Sequence, residues 1–186
     1  MESSLVFWIA AAVTLFWAVG AYNRLVRLRS EAKASFGALD AELARQVQLV
    51  HACIPPEEDQ QQSSFGGGSA FWGGLQGAAS QLAASLAAAR SKPLDPERIA
   101  ALGAAQEVLG MAWERAERDD AHDLAGPRLP DNLSSERAHM VSVARQATEN
   151  FNAAVARYNA GIAQFPAILL AWLFGFQAAR GLRTRA

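Results

Sequence analysis

Apolar positions along this chain fall into two regimes, an unbroken run at the amino end and then stripes of helical spacing. Between Glu2 and Arg24 lie 21 residues without a formal charge, SSLVFWIAAAVTLFWAVGAYN, of which only Ser3, Ser4, Thr14 and Asn23 are polar. About 20 mostly apolar residues carry a helix across roughly 30 Å of hydrocarbon. Apolar side chains on every side suit lipid or full burial rather than one-sided packing. Trp8, Trp17 and Tyr22 stand toward the two ends of the run, and amphipathic rings favour headgroup regions. The alternative is a cleaved signal peptide, which needs a basic start, whereas MESS holds an acid and neither Lys nor Arg. The pattern therefore predicts a retained transmembrane anchor over residues 1–23.

Beyond the anchor the period changes. Leu25, Leu28, Ala32, Phe36, Leu39, Leu43, Val47, Val50 and Ile54 follow at steps of three and four, one helical stripe that Pro55-Pro56 ends. The next segment, PPEEDQQQSSFGGGSAFWGG, is polar and then glycine-rich, and predicts a mobile loop over about 55–74. An alanine-rich second helix is expected over roughly 71–90, with Leu75, Leu82 and Leu86 as its larger side chains. Asp95 as N-cap and Pro96 at the first helical position open a third helix. Its stripe is Ile99, Leu102, Ala105, Leu109, Trp113 and Ala116, and the pattern is lost in ERDDAHDLAGPRLP. A fourth helix is expected from near Asp131 to Gln164, with Leu133, Met140, Ala144, Ala147, Phe151, Val155, Tyr158 and Ile162 inward, before Pro166 interrupts it. No strand alternation intervenes. The predicted fold is all-α, a transmembrane helix continuing into an antiparallel up-down four-helix bundle over 24–164.

Charge adds a direction to this architecture. Arg24, Arg27, Arg29 and Lys33, against Glu31 alone, follow the apolar run, so the positive-inside rule puts the body in the cytoplasm and the amino terminus outside. In an up-down bundle the fourth helix returns toward the membrane that the first one leaves. The apolar stretch from Phe165 to Phe176 then meets the bilayer surface, too short to span but able to lie among headgroups. The tail that completes segment 165–186 carries Arg180, Arg183 and Arg185, and each cation near an anionic leaflet contributes about 1 kcal/mol. These considerations nominate Arg24, Arg27, Arg29, Phe165, Trp172, Phe174, Phe176, Arg180, Arg183 and Arg185 as membrane-surface contacts.

Composition narrows the chemistry. The 186 residues are 51% hydrophobic with a net charge of −1, which excludes a disordered chain and gives no global bias toward nucleic acid. The single cysteine, Cys53, excludes an intrachain disulfide and multi-cysteine metal motifs. Asp119, Asp120, His122 and Asp123 form the best candidate divalent site, set against a plainer reading as a solvated helix end before Gly126-Pro127. His51 and Cys53 are two apart and point to different helix faces. No HExxH, GxSxG, P-loop or dinucleotide fingerprint occurs. Tyr22-Asn23 and Tyr158-Asn159 are read as core aromatics beside exposed amides that pin helices together near the membrane. Arg145 and Arg157 are expected on solvated faces. No catalytic, cofactor-binding or metal-binding residue is assigned, and neither an enzyme activity nor a small-molecule substrate is expected.

Two segments carry a family resemblance. AYNRLVRLRSEAKASFGALDAELARQVQLV, residues 21–50, resembles the first helix of the LemA family, which follows its anchor with Tyr-Asn, a Leu-Val and Arg pattern, an acid and a hydrophobic stripe. ENFNAAVARYNAGIAQFPAILLAWLFGF, residues 149–176, is similar to that family's terminal pattern of an early Asn, Tyr-Asn, Phe-Pro and a leucine-rich stretch ending Phe-Gly-Phe. The middle departs: Ile54-Pro55-Pro56 and the glycine-rich loop replace a Pro-Asn-Leu-type turn, and AGPRLPDN replaces a Tyr-Pro-containing segment. The resemblance implies a single-pass, bacterial inner-membrane helical protein. The expected role is a non-enzymatic, membrane-proximal scaffold or interaction module, with membrane lipid and a protein partner or a second copy as partners. A lipid-surface-binding or membrane-remodelling role through the carboxyl-terminal segment is the alternative.

Overall fold

The computed structural model describes residues 2–54, 68–121, 129–130, 132–165 and 167–183, with the side chains of 2–5, 69–71 and 121 left aside. Five helices account for most of it: α1 Glu2–Cys53, α2 Gly68–Ser91, α3 Pro96–Ala121, α4 Leu133–Ala163 and α5 Ala167–Leu173. No strand occurs among the described residues. α1 runs unbroken through its 52 residues, about 78 Å at 1.5 Å per residue. Its apolar first half and its striped second half are one rod.

The stripe of that second half is the spine of the core. Leu25, Leu28, Ala32, Phe36, Leu39, Leu43, Val47 and Val50 are all buried, against α4 on one side and α2 on another. Phe36 of α1 meets Phe151 of α4 edge-on, with ring centroids 5.8 Å apart. Gly161 of α4 faces α1, and its missing side chain leaves room for Leu25 and Leu28. α2 packs against α3 through small residues, Ala78, Ala79, Ala89 and Ala105, which let the two backbones approach around Leu82, Ile99 and Leu102.

The α2–α3 hairpin covers only the far part of α1. Arg90, at the end of α2, donates to Asp40 at 2.7 Å, so α2 stops at the middle of α1's striped half. α3 then starts back, capped by Asp95, whose Oδ1 accepts from the amides of Glu97 at 3.0 Å and Arg98 at 3.2 Å. Among the described residues, no Cα of α3 comes within 8 Å of one of α4. Side chains bridge the gap: Arg137 of α4 donates to Glu117 at 2.7 Å and lies with its guanidinium 5.7 Å from the Trp113 ring centre.

Two boundaries differ from the sequence expectation. α2 begins at Gly68, so residues 68–74 of the expected loop are helical, and residues 55–67 lie outside the described residues. Trp72 explains the extension: it is 4% exposed, and its burial outweighs the poor helix propensity of the neighbouring glycines. α3 likewise continues past the point where its stripe fades, to Ala121. Asp119 pairs with Arg115 at 3.7 Å one turn back, which supports a polar last turn without any apolar face.

Candidate interaction surfaces around Tyr22

Among the described residues, α1 ahead of Tyr22 contributes no side chain to the buried core. Val6, Phe7, Trp8, Ile9, Val13, Leu15, Phe16, Trp17 and Val19 are all exposed, Phe16 to 84%, and the helix is long and apolar enough to cross a membrane. Burial of one such side chain is worth about 1.5–3 kcal/mol. Nine of them exposed along one helix form an apolar surface of the size that marks an interaction site.

A second element presents the same chemistry at the same height. After α4 the chain turns, and α5 lies back against α1 and α4. Phe174 lies tilted against Tyr22 at 4.9 Å between ring centroids, and Phe176 meets the same ring edge-on at 6.1 Å. Tyr22 is therefore the point where the carboxyl-terminal segment rejoins α1. Phe165, Ile168, Leu169, Trp172, Leu173 and Phe174 remain exposed around it, Phe165 to 82% and Trp172 to 84%.

The nominated membrane contacts divide accordingly. Arg24, Arg27 and Arg29 are exposed on the first turns after the apolar half of α1, with Arg27 3.6 Å from Glu31 and Arg29 over the Phe176 ring at 5.7 Å. Phe165, Trp172 and Phe174 share that end, while Phe176 is half-buried beneath Arg29. Arg180 and Arg183 are set apart from this group. They are exposed on an extended segment that leaves α5 and runs back up the body along α4. Arg185 lies outside the described residues.

That segment is fastened by three side chains of α4, of which Asn159 differs from the sequence expectation. Asn159 is not an exposed amide: its Nδ2 donates to Ala179 O at 2.8 Å and its Oδ1 accepts from Ala179 N at 2.9 Å. Asn152, seven residues earlier, does the same for Leu182, at 2.9 Å and 2.7 Å. Between them Tyr158 donates its hydroxyl to Gln177 O at 2.9 Å. Burial pushes the Tyr158 phenol above its ordinary pKa, with Arg29 acting in the opposite direction, so it is a donor at neutral pH. Leu182 is 1% exposed and sits against Gly103 of α3, so the segment fills the cleft where α3 begins. The signal for this clasp was the repeated pair Phe151-Asn152 and Tyr158-Asn159, in which each core aromatic precedes an asparagine by one position.

Beyond Arg183 the cleft between α3 and α4 opens into a cavity of roughly 790 Å³, floored by Gln46 and Leu49 of α1. Glu107 and Glu114 on α3 and Glu149 on α4 line it, with Trp113, Arg137 and Arg145. Two wall atoms, Gln106 Oε1 and Arg137 Nε, are buried with no hydrogen-bond partner among the described residues.

The candidate metal cluster does not assemble among the described residues. Asp119 pairs with Arg115, Asp120 Oδ1 accepts from the Leu129 amide at 3.2 Å, and His122 and Asp123 lie outside them. No group of three His, Cys, Asp or Glu side chains suited to a metal ion is found there. His51 is exposed, whereas Cys53 is half-buried, and burial together with the Glu136 carboxylate pushes its thiol pKa up, away from nucleophilic chemistry. No protein-family model matches this chain, and neither a curated protein nor a solved structure does so.

Proposed function

We propose that this chain is a LemA-like single-pass protein of the bacterial inner membrane. Its amino terminus is outside, and its helical body, an up-down four-helix bundle, works in the cytoplasm as a non-enzymatic, membrane-proximal scaffold or interaction module. The observation that carries the reading is the coincidence of two apolar surfaces from distant parts of the sequence. The first half of α1 and the outer face of α5 stop together at Tyr22 and Phe174, beside Arg24, Arg27 and Arg29. One lipid leaflet covers both and places the cations at its headgroups. The test is protease access in spheroplasts and in inverted membrane vesicles after carbonate washing. The account expects the chain to stay with the membrane and its body to be cut only in inverted vesicles. Release by carbonate, or cleavage of the body in spheroplasts, contradicts it.

A second reading is favoured by α5 alone. Phe165 and Trp172 are too exposed to serve the core, and they supply the wedge a lipid-surface-binding or membrane-remodelling protein needs. On that reading, vesicle deformation by the full chain depends on Trp172 and Phe165. Loss of deformation in a Trp172→Ala, Phe165→Ala variant that still inserts supports it, and unchanged deformation removes it.

A further inference from the structure

Among the described side chains between Val26 and Phe165, Met111 and Val141 alone are large, apolar and exposed, and both stand on one face of the body. Each belongs to a short exposed stripe beside the open seam of α3 and α4. Glu107, Met111 and Glu114 follow at steps of four and three on α3, and Val141, Arg145 and Glu149 at steps of four on α4.

Two bridges set the heights of these stripes. Arg137 reaches Glu117 directly, and Asn152 holds Leu182, which sits against Gly103. Fourteen residues separate Gly103 from Glu117 and fifteen separate Arg137 from Asn152, so α3 and α4 run antiparallel in step. Arg145 is then level with Gly110, between Glu107 and Glu114, and Val141 stands within about 4 Å of the level of Met111. Among the described residues, Glu107, Glu114 and Arg145 make no ion pair or hydrogen bond across the seam.

The ionised side chains of this face balance. Glu107 and Glu114 stand on α3, Arg137 and Arg145 on α4, and Glu149 lies in height between Arg145 and Arg183 of the tail. A neutral face whose signs are divided between two walls is one that can oppose itself without net repulsion. Two copies anchored by α1 in one bilayer share its orientation, so a two-fold axis relating them runs along the bundle and keeps every residue at its own height. The face of one copy then meets that of the other with α3 opposite α4.

We propose that the α3–α4 face is the surface through which two copies of this chain pair in the membrane. Arg145 of each copy enters between Glu107 and Glu114 of the other, and Val141 covers Met111. Gly110, where an added Cβ meets nothing within 4 Å, gives the guanidinium its clearance. This names the partner for the interaction role proposed above and rests on the membrane anchoring of that reading.

The test uses the full-length chain in vesicles of phosphatidylethanolamine and phosphatidylglycerol, collected after a carbonate wash. In a Cys53→Ala background, copies with Met111→Cys and one tag are mixed with copies carrying Val141→Cys and a second tag, then oxidised with copper phenanthroline. A disulfide-linked species with both tags is expected, at least about ten-fold more abundant than with Ala84→Cys on α2 in place of Met111→Cys. Energy transfer between fluorescent fusions with no added cysteine gives the second measurement. Arg145→Glu weakens pairing at least about ten-fold, and adding Glu107→Arg and Glu114→Arg to that variant restores it, which a merely structural effect would not. Loss of the chain from the washed vesicles overturns both readings, whereas a retained monomer overturns the pairing alone. A dimer indifferent to Arg145→Glu, not restored by the exchanged charges, or cross-linked equally through Ala84→Cys also overturns it.

Discussion

Asn152 and Leu182, thirty positions apart in sequence, exchange two hydrogen bonds, with the Asn152 amide donating to one Leu182 backbone group and accepting from the other. Asn159 repeats the arrangement with Ala179 one rung nearer α5. A tail without helical or strand structure thereby acquires a fixed register on α4. Each bond contributes about 1 kcal/mol net, and ordering each residue costs about 1–2 kcal/mol. Burial of Leu182 adds to the bonds, and the contacts of the tail are few beside those of the helical core, so its undocking is a local event rather than unfolding of the body.

Asn152→Ala and Asn159→Ala should release the tail while leaving the helices in place. The measurement is amide hydrogen exchange by mass spectrometry on peptides covering residues 177–183. Protection is expected to fall in either single variant and to vanish in the double variant, with α1 and α4 unchanged. Retained protection in the double variant argues against the clasp.

Gly161→Val tests the crossing of α4 over α1. An added Cβ would stand 2.6 Å from Leu28 Cδ1, and Leu28 belongs to the packed core. Overpacking of this kind costs about 1–3 kcal/mol. Thermal unfolding in detergent should show a lower midpoint for Gly161→Val, whereas Gly77→Val, whose added Cβ meets nothing within 4 Å, should be affected much less.

Asp95→Ala removes the acceptor for two amides at the start of α3. The loss is about 0.5–2 kcal/mol, and Asp95→Asn, which keeps a side-chain acceptor, should recover most of it. The same unfolding experiment reads the difference between the two.

Cys53 gives a pH-dependent readout, since it is the single thiol of the chain. Its folded pKa is raised, first by burial and then by Glu136, so folding favours the neutral thiol. The associated stability is complete below the ordinary thiol pKa and is lost as pH rises through the folded value. The rate of alkylation by iodoacetamide should climb at higher pH than for a free thiol, and Glu136→Gln should move the profile only part of the way back. A profile identical to that of a free thiol contradicts the burial.

The body was legible in sequence because its physics is periodic. Every α1 stripe residue from Leu25 to Val50 is buried, as are Ile99, Leu102, Ala105, Leu109, Trp113 and Ala116 of α3. Asp95 and Pro96 announced a helix start that the structure places there. The clasp left only the repeat Phe151-Asn152 and Tyr158-Asn159 as its mark, because at the margin of a stripe a solvated amide and a backbone-binding amide look alike. Their partner segment, QAARGLR, carries no periodicity, so nothing local says that Leu182 is buried or that Gly181 is needed. The start of α2 was misplaced for a related reason: local glycine content argued for a loop, and the deciding contribution is the long-range burial of Trp72.

The membrane reading is tested most directly at Trp172, which is 84% exposed on α5. A variant keeping Trp172 as its single tryptophan, reconstituted in vesicles with spin-labelled lipids, should be quenched strongly by labels near the headgroups and weakly by labels at the bilayer centre. The matching variant keeping only the buried Trp113 should not be quenched by either. Absence of quenching at Trp172 by both labels would contradict a body whose carboxyl-terminal segment returns to the leaflet that α1 leaves.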